Sequence, residues 1–141
     1  MKFSYERIDV APSLAFPHVD TTLRPIIPIT LEHSGIKAEY GALIDSGADF
    51  CIFHPLVAKV LGLELGEDKK AVFSGVGGNG MTAYFHTITA HVGNYPYQLY
   101  CGFSHDIPPD GYGILGQIGF FDHFRVVLDY KQEEIEIHPE A

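Results

Sequence analysis

Two short apolar segments, each running into a glycine, constrain this chain more than anything else in it. Leu43-Ile44 leads into Asp45-Ser46-Gly47-Ala48, and far downstream Gly113-Ile114-Leu115 leads into Gly116. The first reads as a strand ending in a tight turn, because Asp, Ser and Gly all favour turn geometry and leave the carboxylate exposed on a rigid backbone. The second reads as a strand whose last residue has no side chain, so it can pack closely against such a turn. Either segment alone is ordinary. Asp-Ser-Gly is turn chemistry found anywhere, and two aliphatics before a glycine are plain core. Together they ask for a fold that brings two strand ends into contact.

The rest of the chain is a series of short β-forming runs punctuated by Gly, Pro and Asp. Tyr5–Val10 reads as a first strand closed by Pro12, and Pro17–Pro25 as irregular. Ile27, Ile29 and Leu31 alternate with Pro28 and Thr30, and Pro28 marks an edge strand or a position that need not donate. Tyr40–Ile44 enters the Asp45 turn and Phe50–Phe53 leaves it. One helix is well marked. It starts at Pro55, whose missing N–H is harmless in a first turn, and stops at Gly62, with Leu56, Val57, Val60 and Leu61 as its apolar face. Lys70–Val76 and Thr82–Val92 flank a glycine cluster as the arms of a hairpin. Tyr95, Tyr97, Leu99, Cys101 and Phe103 alternate with Pro96, Gln98, Tyr100 and Gly102, as in a half-buried strand. Tyr112–Leu115 is a further strand. Gln117–His123 reads as a short helix, with Ile118 and Phe121 one turn apart, and Phe124–Tyr130 with Glu133–Ile137 as a hairpin around Lys131-Gln132. There is no repeat and no linker, so the expectation is one mostly β domain with one or two short helices.

Composition narrows the partners. The chain has 141 residues, 46% of them apolar and 19% charged, which supports a real core. Nine basic against eighteen acidic residues give a net charge of -9. No basic stripe is present to displace counterions from a phosphate backbone or to hold anionic lipid, so neither nucleic acid nor a membrane is expected as partner. The longest apolar runs are too short to span a bilayer, and Met1-Lys2-Phe3-Ser4-Tyr5-Glu6 lacks an apolar signal core. A soluble, cytoplasmic protein is the expectation. Cys51 and Cys101, without metal-ligand spacing, read as free buried thiols in a reducing compartment.

Three other chemistries fit poorly. Gly75-Val76-Gly77-Gly78-Asn79-Gly80 matches the dinucleotide pattern, but that pattern needs a helix next to face the pyrophosphate. Thr82-Ala83-Tyr84-Phe85-His86-Thr87-Ile88-Thr89 follows instead, rich in β-branched and aromatic residues. His86 and His91 point to opposite faces of a strand, and His18, His33, His54, His105, His123 and His138 are scattered, whereas zinc draws three or four converging ligands. No Gly-x-Ser-x-Gly elbow is present for a serine hydrolase.

With their flanks, the two glycine-ended segments resemble the retropepsin-like aspartic proteases, the single-domain proteases of clan AA. That family carries Asp-Thr/Ser-Gly-Ala/Ser, then two apolar residues and Gly downstream. Ala42-Leu43-Ile44, Ala48, Leu61-Gly62-Leu63, the glycine-rich hairpin and Ile114-Leu115-Gly116 follow in the family's order. So do Gln117-Ile118-Gly119-Phe120-Phe121 and the closing hairpin, and the likeness extends from Arg24 to Ile137. The helix Pro55–Leu61 makes it closer to cellular and bacterial members than to viral ones. Ser46 stands where Thr is commoner. Residues 1–23 are an N-terminal extension, either part of the same domain or separate from it, ahead of a protease domain over 24–141.

The resemblance implies a closed, mostly β barrel of the acid-protease type, with Asp45 catalytic and Ser46, Gly47, Ala48, Ile114, Leu115 and Gly116 supporting it. A carboxylate that must hold water in one geometry needs backbone N–H donors and neighbouring hydroxyls, which Gly47 and Ser46 offer. The chemistry needs two carboxylates sharing one proton, since two so close cannot both ionise. One Asp-Ser-Gly per chain therefore implies a twofold homodimer with an Asp45 from each subunit. Asp49, beyond the turn, reads as solvated. Gly75, Val76, Gly77, Gly78, Asn79 and Gly80, with Tyr84, would form a flap closing over an extended peptide. Neither metal nor organic cofactor is implied. The expected function is aspartic endopeptidase cleavage of a peptide or protein. The rival is a non-catalytic peptide-binding or scaffold module on the same fold, and a metal-dependent hydrolase using Asp45, Asp49 and nearby histidines ranks last.

Overall fold

The computed structural model describes residues 1–74 and 80–140. In chain order the first strands are β1 (Lys2–Ser4), β2 (Glu6–Asp9), β3 (Thr21–Arg24), β4 (Ile26–His33), β5 (Ile36–Ile44) and β6 (Ile52–Phe53). Helix α1 (Pro55–Val60) and a 3₁₀ turn at Glu67–Lys69 come next. The later strands are β7 (Lys70–Ser74), β8 (Gly80–Val92), β9 (Tyr95–Phe103), β10 (Gly113–Leu115), β11 (Phe124–Asp129) and β12 (Glu134–Pro139).

Six strands close into a barrel in the order β4-β5-β10-β6-β9-β8, and β8 returns to β4 through Thr30↔His91, Leu31↔Ala90 and Glu32↔Thr89. The β5–β10 and β6–β9 pairs are parallel and the others antiparallel, so the barrel is mixed. β7 lies outside the ring, on β8. The period-2 alternation seen in the sequence decides what faces inward. Ile27, Ile29 and Leu31 of β4 are fully buried, as are Leu99, Cys101 and Phe103 of β9. Each large aliphatic or aromatic side chain among them contributes roughly 1.5–3 kcal/mol by leaving water. Pro28 is exposed and lies short of the Thr30–Glu32 stretch that pairs with β8, so its missing N–H is not needed there. A second, smaller cluster of Ile52, Ala83, Phe85 and Ile107 sits under the β7–β8 arms.

Helix α1 starts and stops where expected. His54 Nδ1 accepts from Leu56 N–H at 3.1 Å as the cap, and Gly62 ends the turn at φ +72°. Its buried face is rotated from the expected one, however: Val57, Ala58 and Leu61 are buried, while Leu56 and Val60 stay 52% and 54% exposed. The closing hairpin is as read, with its turn at Tyr130–Glu133 between β11 and β12.

Three expectations are corrected. Tyr5–Val10 is not one strand, because the chain changes partner at Tyr5: β1 pairs with β12 and β2 with β3. Pro17–Pro25 is not irregular throughout, since Thr21–Arg24 forms β3 and passes through Pro25 into β4. Gln117–His123 is a run of turns and not a helix. Gln117 and Ile118 give their N–H groups to the carbonyls of Ala48 and Asp49, and Gly119 adopts φ +107°, outside any right-handed helix. Phe121 and Asp122 then bond back to Gly116 and Gln117. Residues 11–20, the tip of the β2–β3 ribbon, are all exposed, and Leu14 is fully so. Among the described residues no helix is long and apolar enough to cross a membrane.

Candidate active site

Asp45 is the first residue past β5, and the neighbouring backbone fixes it from three sides. Ile44 N–H donates to Pro25 O at 2.9 Å, Asp45 N–H to Leu115 O at 2.9 Å, and Ala48 N–H to Asp45 O at 3.2 Å. The carboxylate itself is pinned by Gly47 N–H, which donates to Oδ1 at 2.9 Å. This is the local bond that Asp makes two residues ahead in a turn, and it holds one oxygen while the other stays available. Asp45 is half-buried and Gly47 exposed, so the pinned group faces an opening.

The two glycine-ended segments meet as the sequence suggests. β10 lies parallel to β5 with Ile114 opposite Leu43 and Leu115 opposite Ile44, and antiparallel to β6 through Ile114↔Ile52. Gly116 follows directly. A Cβ there would stand 2.6 Å from the Ala48 carbonyl oxygen and closer still to that of Phe50, so only glycine fits. Gly116 N–H donates to Cys51 Sγ at 3.4 Å. Burial pushes the Cys51 thiol up to about 12, against the opposing effect of that bond, so it acts here as a neutral acceptor. Burial pushes Cys101 up as well.

Ser46 contributes differently from what its hydroxyl suggests. That hydroxyl makes no hydrogen bond among the described residues. Its carbonyl instead accepts from Gln117 Nε2 at 2.6 Å. Gln117 also donates its N–H to Ala48 O at 2.8 Å, so one residue ties down both ends of the turn. The only sequence signal for it is its place directly after Ile114-Leu115-Gly116.

A cavity of about 310 Å³ opens over Asp45. Ala48 and Asp49 border the carboxylate, Phe50, Ile52 and Ile114 form an apolar wall, and Phe73, Ser74 and Met81 reach in from the arms. Phe50 packs edge-on to Phe73 and to Phe85, at 5.3 and 5.4 Å between ring centroids. Gly80 begins β8 opposite Ser74. Tyr84 is half-buried on β8 between Lys70 and Phe103, and Met81, not Tyr84, lines the cavity. Gly75, Val76, Gly77, Gly78 and Asn79 lie outside the described residues. A second groove, of about 420 Å³ between α1 and the Pro109–Gly113 loop, shares none of these residues. Among the described residues no three His, Cys, Asp or Glu side chains converge as metal ligands.

No family model matches the chain, and no curated protein does. Solved structures do. The retroviral protease-like domain of Ddi1 from Leishmania major superposes with a TM-score of 0.59 at 19% identity, over 81% of this chain and 87% of that one. A retropepsin-like aspartic protease from Rickettsia conorii gives 0.53 at 14% identity, over 92% and 97%. EIAV protease complexed with the inhibitor HBY-793 gives 0.53 at 20% identity, over 67% and 82%. The matches span most of the chain, and what they share with it is the closed, mostly β barrel: this chain has the retropepsin-like aspartic protease fold.

Proposed function

We propose that this protein is an aspartic endopeptidase that works as a homodimer, hydrolysing peptide bonds with a water activated between two Asp45 carboxylates. The observation that carries this reading is the pinned Asp45 carboxylate, with Oδ1 held by Gly47 N–H at the mouth of a largely apolar cavity. A twofold axis beside Asp45 supplies the second carboxylate that the chemistry needs. One carboxylate of the pair keeps the shared proton and the other takes a proton from water, which attacks the peptide carbonyl. Breakdown of the tetrahedral species passes a proton to the leaving amine. Fixed backbone donors matter because the carboxylates must not reorganise as charge moves.

The protease domain is proposed to be residues 24–141, with 1–23 as an extension of the same domain. β1 completes a sheet with β12 and β11, and β3 runs straight into β4, which supports a single unit. The substrate is proposed to be an extended peptide or protein segment beneath the β7–β8 arms, where main-chain pairing would hold it. Free Cys51 and Cys101 fit a reducing compartment, the cytoplasm.

The test is cleavage of a diverse peptide mixture, read by mass spectrometry at mildly acidic and neutral pH, with wild type and Asp45→Asn side by side. Cuts made by wild type alone are expected. A folded, dimeric wild type that makes none would favour the peptide-binding module, and equal cutting by both proteins would remove Asp45 from the chemistry.

A further inference from the structure

We propose that Asp106 is a positioning residue for the substrate cavity: its carboxylate stands in for a missing strand and holds the root of the β7–β8 arms above Asp45. This rests on the endopeptidase reading for its functional consequence, and on hydrogen bonds within the chain for the contact itself.

β8 is flanked on both sides for only part of its length. Its pairing with β9 ends at Tyr84↔Phe103, whereas β7 stays alongside as far as Gly80. In an antiparallel strand every second N–H faces the same neighbour, so the next β8 donor on the β9 side beyond Tyr84 is that of Thr82. β9 has already turned away at this point, so the Thr82 N–H takes its acceptor from outside the sheet ladder. Asp106 supplies the acceptor, with Oδ2 receiving Thr82 N–H at 2.9 Å.

The carboxylate is itself held. Ser104 is fully buried, and its hydroxyl oxygen accepts from Asp106 N–H at 3.1 Å and donates to Oδ2 at 3.4 Å. Ser104 N–H in turn donates to Phe53 O at 2.9 Å, at the end of β6. An unbroken run of hydrogen bonds thus leads from β6, the strand that leaves the Asp45 turn, to the arm. Met81 is the neighbour of Thr82 in sequence and Phe73 is its cross-strand partner, and both line the Asp45 cavity. The point at which Thr82 is held sets where those two side chains stand relative to the carboxylate. Hydrogen bonds to a charged acceptor are the stronger kind, which suits a single contact doing the work of a strand.

The experiment compares wild type, Asp106→Ala and Asp106→Asn by amide hydrogen exchange at Thr82 and by steady-state cleavage of a peptide that wild type cuts. Asn keeps an oxygen acceptor and is the rescue variant. In Asp106→Ala, exchange at Thr82 is expected to rise about tenfold or more while Leu31 and Leu99 in the barrel keep their rates. KM is expected to rise about tenfold with kcat changed less than about twofold, and Asp106→Asn to lie near wild type in both readouts. Unchanged exchange at Thr82 would overturn the proposal. So would faster exchange throughout the barrel, or faster Thr82 exchange with KM unmoved. A wild type that cuts no peptide defeats the endopeptidase reading, and the Thr82 exchange then decides by itself whether Asp106 holds the arm.

Discussion

Gly116 and Ala48 touch backbone to backbone: a Cβ on Gly116 would lie 2.6 Å from the Ala48 carbonyl oxygen. That approach lets Gln117 N–H reach the same oxygen at 2.8 Å and lets Leu115 O receive Asp45 N–H. The Asp45 turn is therefore built against a strand end and not on a free loop. Replacing Gly116 with Ala should destabilise the fold by about 2–4 kcal/mol, since the obstacle is backbone that cannot swing aside. Urea unfolding measures it, and a loss under about 0.5 kcal/mol would show that the turn can shift.

Gln117 should matter more to activity than to stability. Its side chain is on an exposed residue and gives one hydrogen bond, to Ser46 O at 2.6 Å. Gln117→Ala should cost about 1 kcal/mol of stability, as expected for a lone hydrogen bond. It should lower kcat/KM by about tenfold or more, because the Asp45 turn loses one of its anchors. Thermal unfolding and peptide cleavage on the same preparation separate the two effects.

The buried thiols predict an alkaline limb. Cys51 has its pKa raised from 9.0 to about 12 in the folded chain, chiefly by burial. A group with a raised folded value favours the protonated, folded form. Its contribution is complete below the unfolded value and is lost as pH rises from about 9 towards about 12. Stability measured by urea should fall through that window, and Cys51→Ala should flatten the fall. In the native protein at pH 8 neither Cys51 nor Cys101 should react with an aromatic disulfide reagent in minutes, and both should react once unfolded.

The ribbon tip should be dispensable for folding. Residues 11–20 are exposed throughout, and the pairs Glu6↔Arg24 to Asp9↔Thr21 lie before it. Replacing 11–19 with a short Gly-containing turn should move Tm by no more than about 2 °C, because no core surface is removed. A larger drop would mean that the tip is covered in the assembled protein.

Much of this was legible in the sequence where a local rule and the tertiary fold agree. The Asp45 turn, the Gly116 approach, the start and stop of α1 at Pro55 and Gly62, and the alternation along β9 all rest on residue chemistry that acts in place. Features set by distant partners were not legible. Thr21–Arg24 carries one large apolar residue between two prolines and becomes a strand only because β2 lies beside it. Ile118 and Phe121 have helical spacing, yet the Ala48 and Asp49 carbonyls capture the N–H groups that would start the helix. Leu56 and Val60 look like core on a helical projection, but Val57, Ala58 and Leu61 meet the barrel. Asp106 carries no signal at all, since its role depends on where β9 ends relative to β8.

The measurement that tests the central claim most directly is a subunit-mixing titration. Wild type is exchanged with inactive Asp45→Asn at constant total protein, and peptide cleavage is followed as the wild-type fraction falls. If both Asp45 carboxylates of a dimer serve one water, only wild-type pairs cut, and an equal mixture retains about one quarter of the activity. Activity falling in simple proportion, to about one half, would mean that each chain works alone and would contradict the shared site.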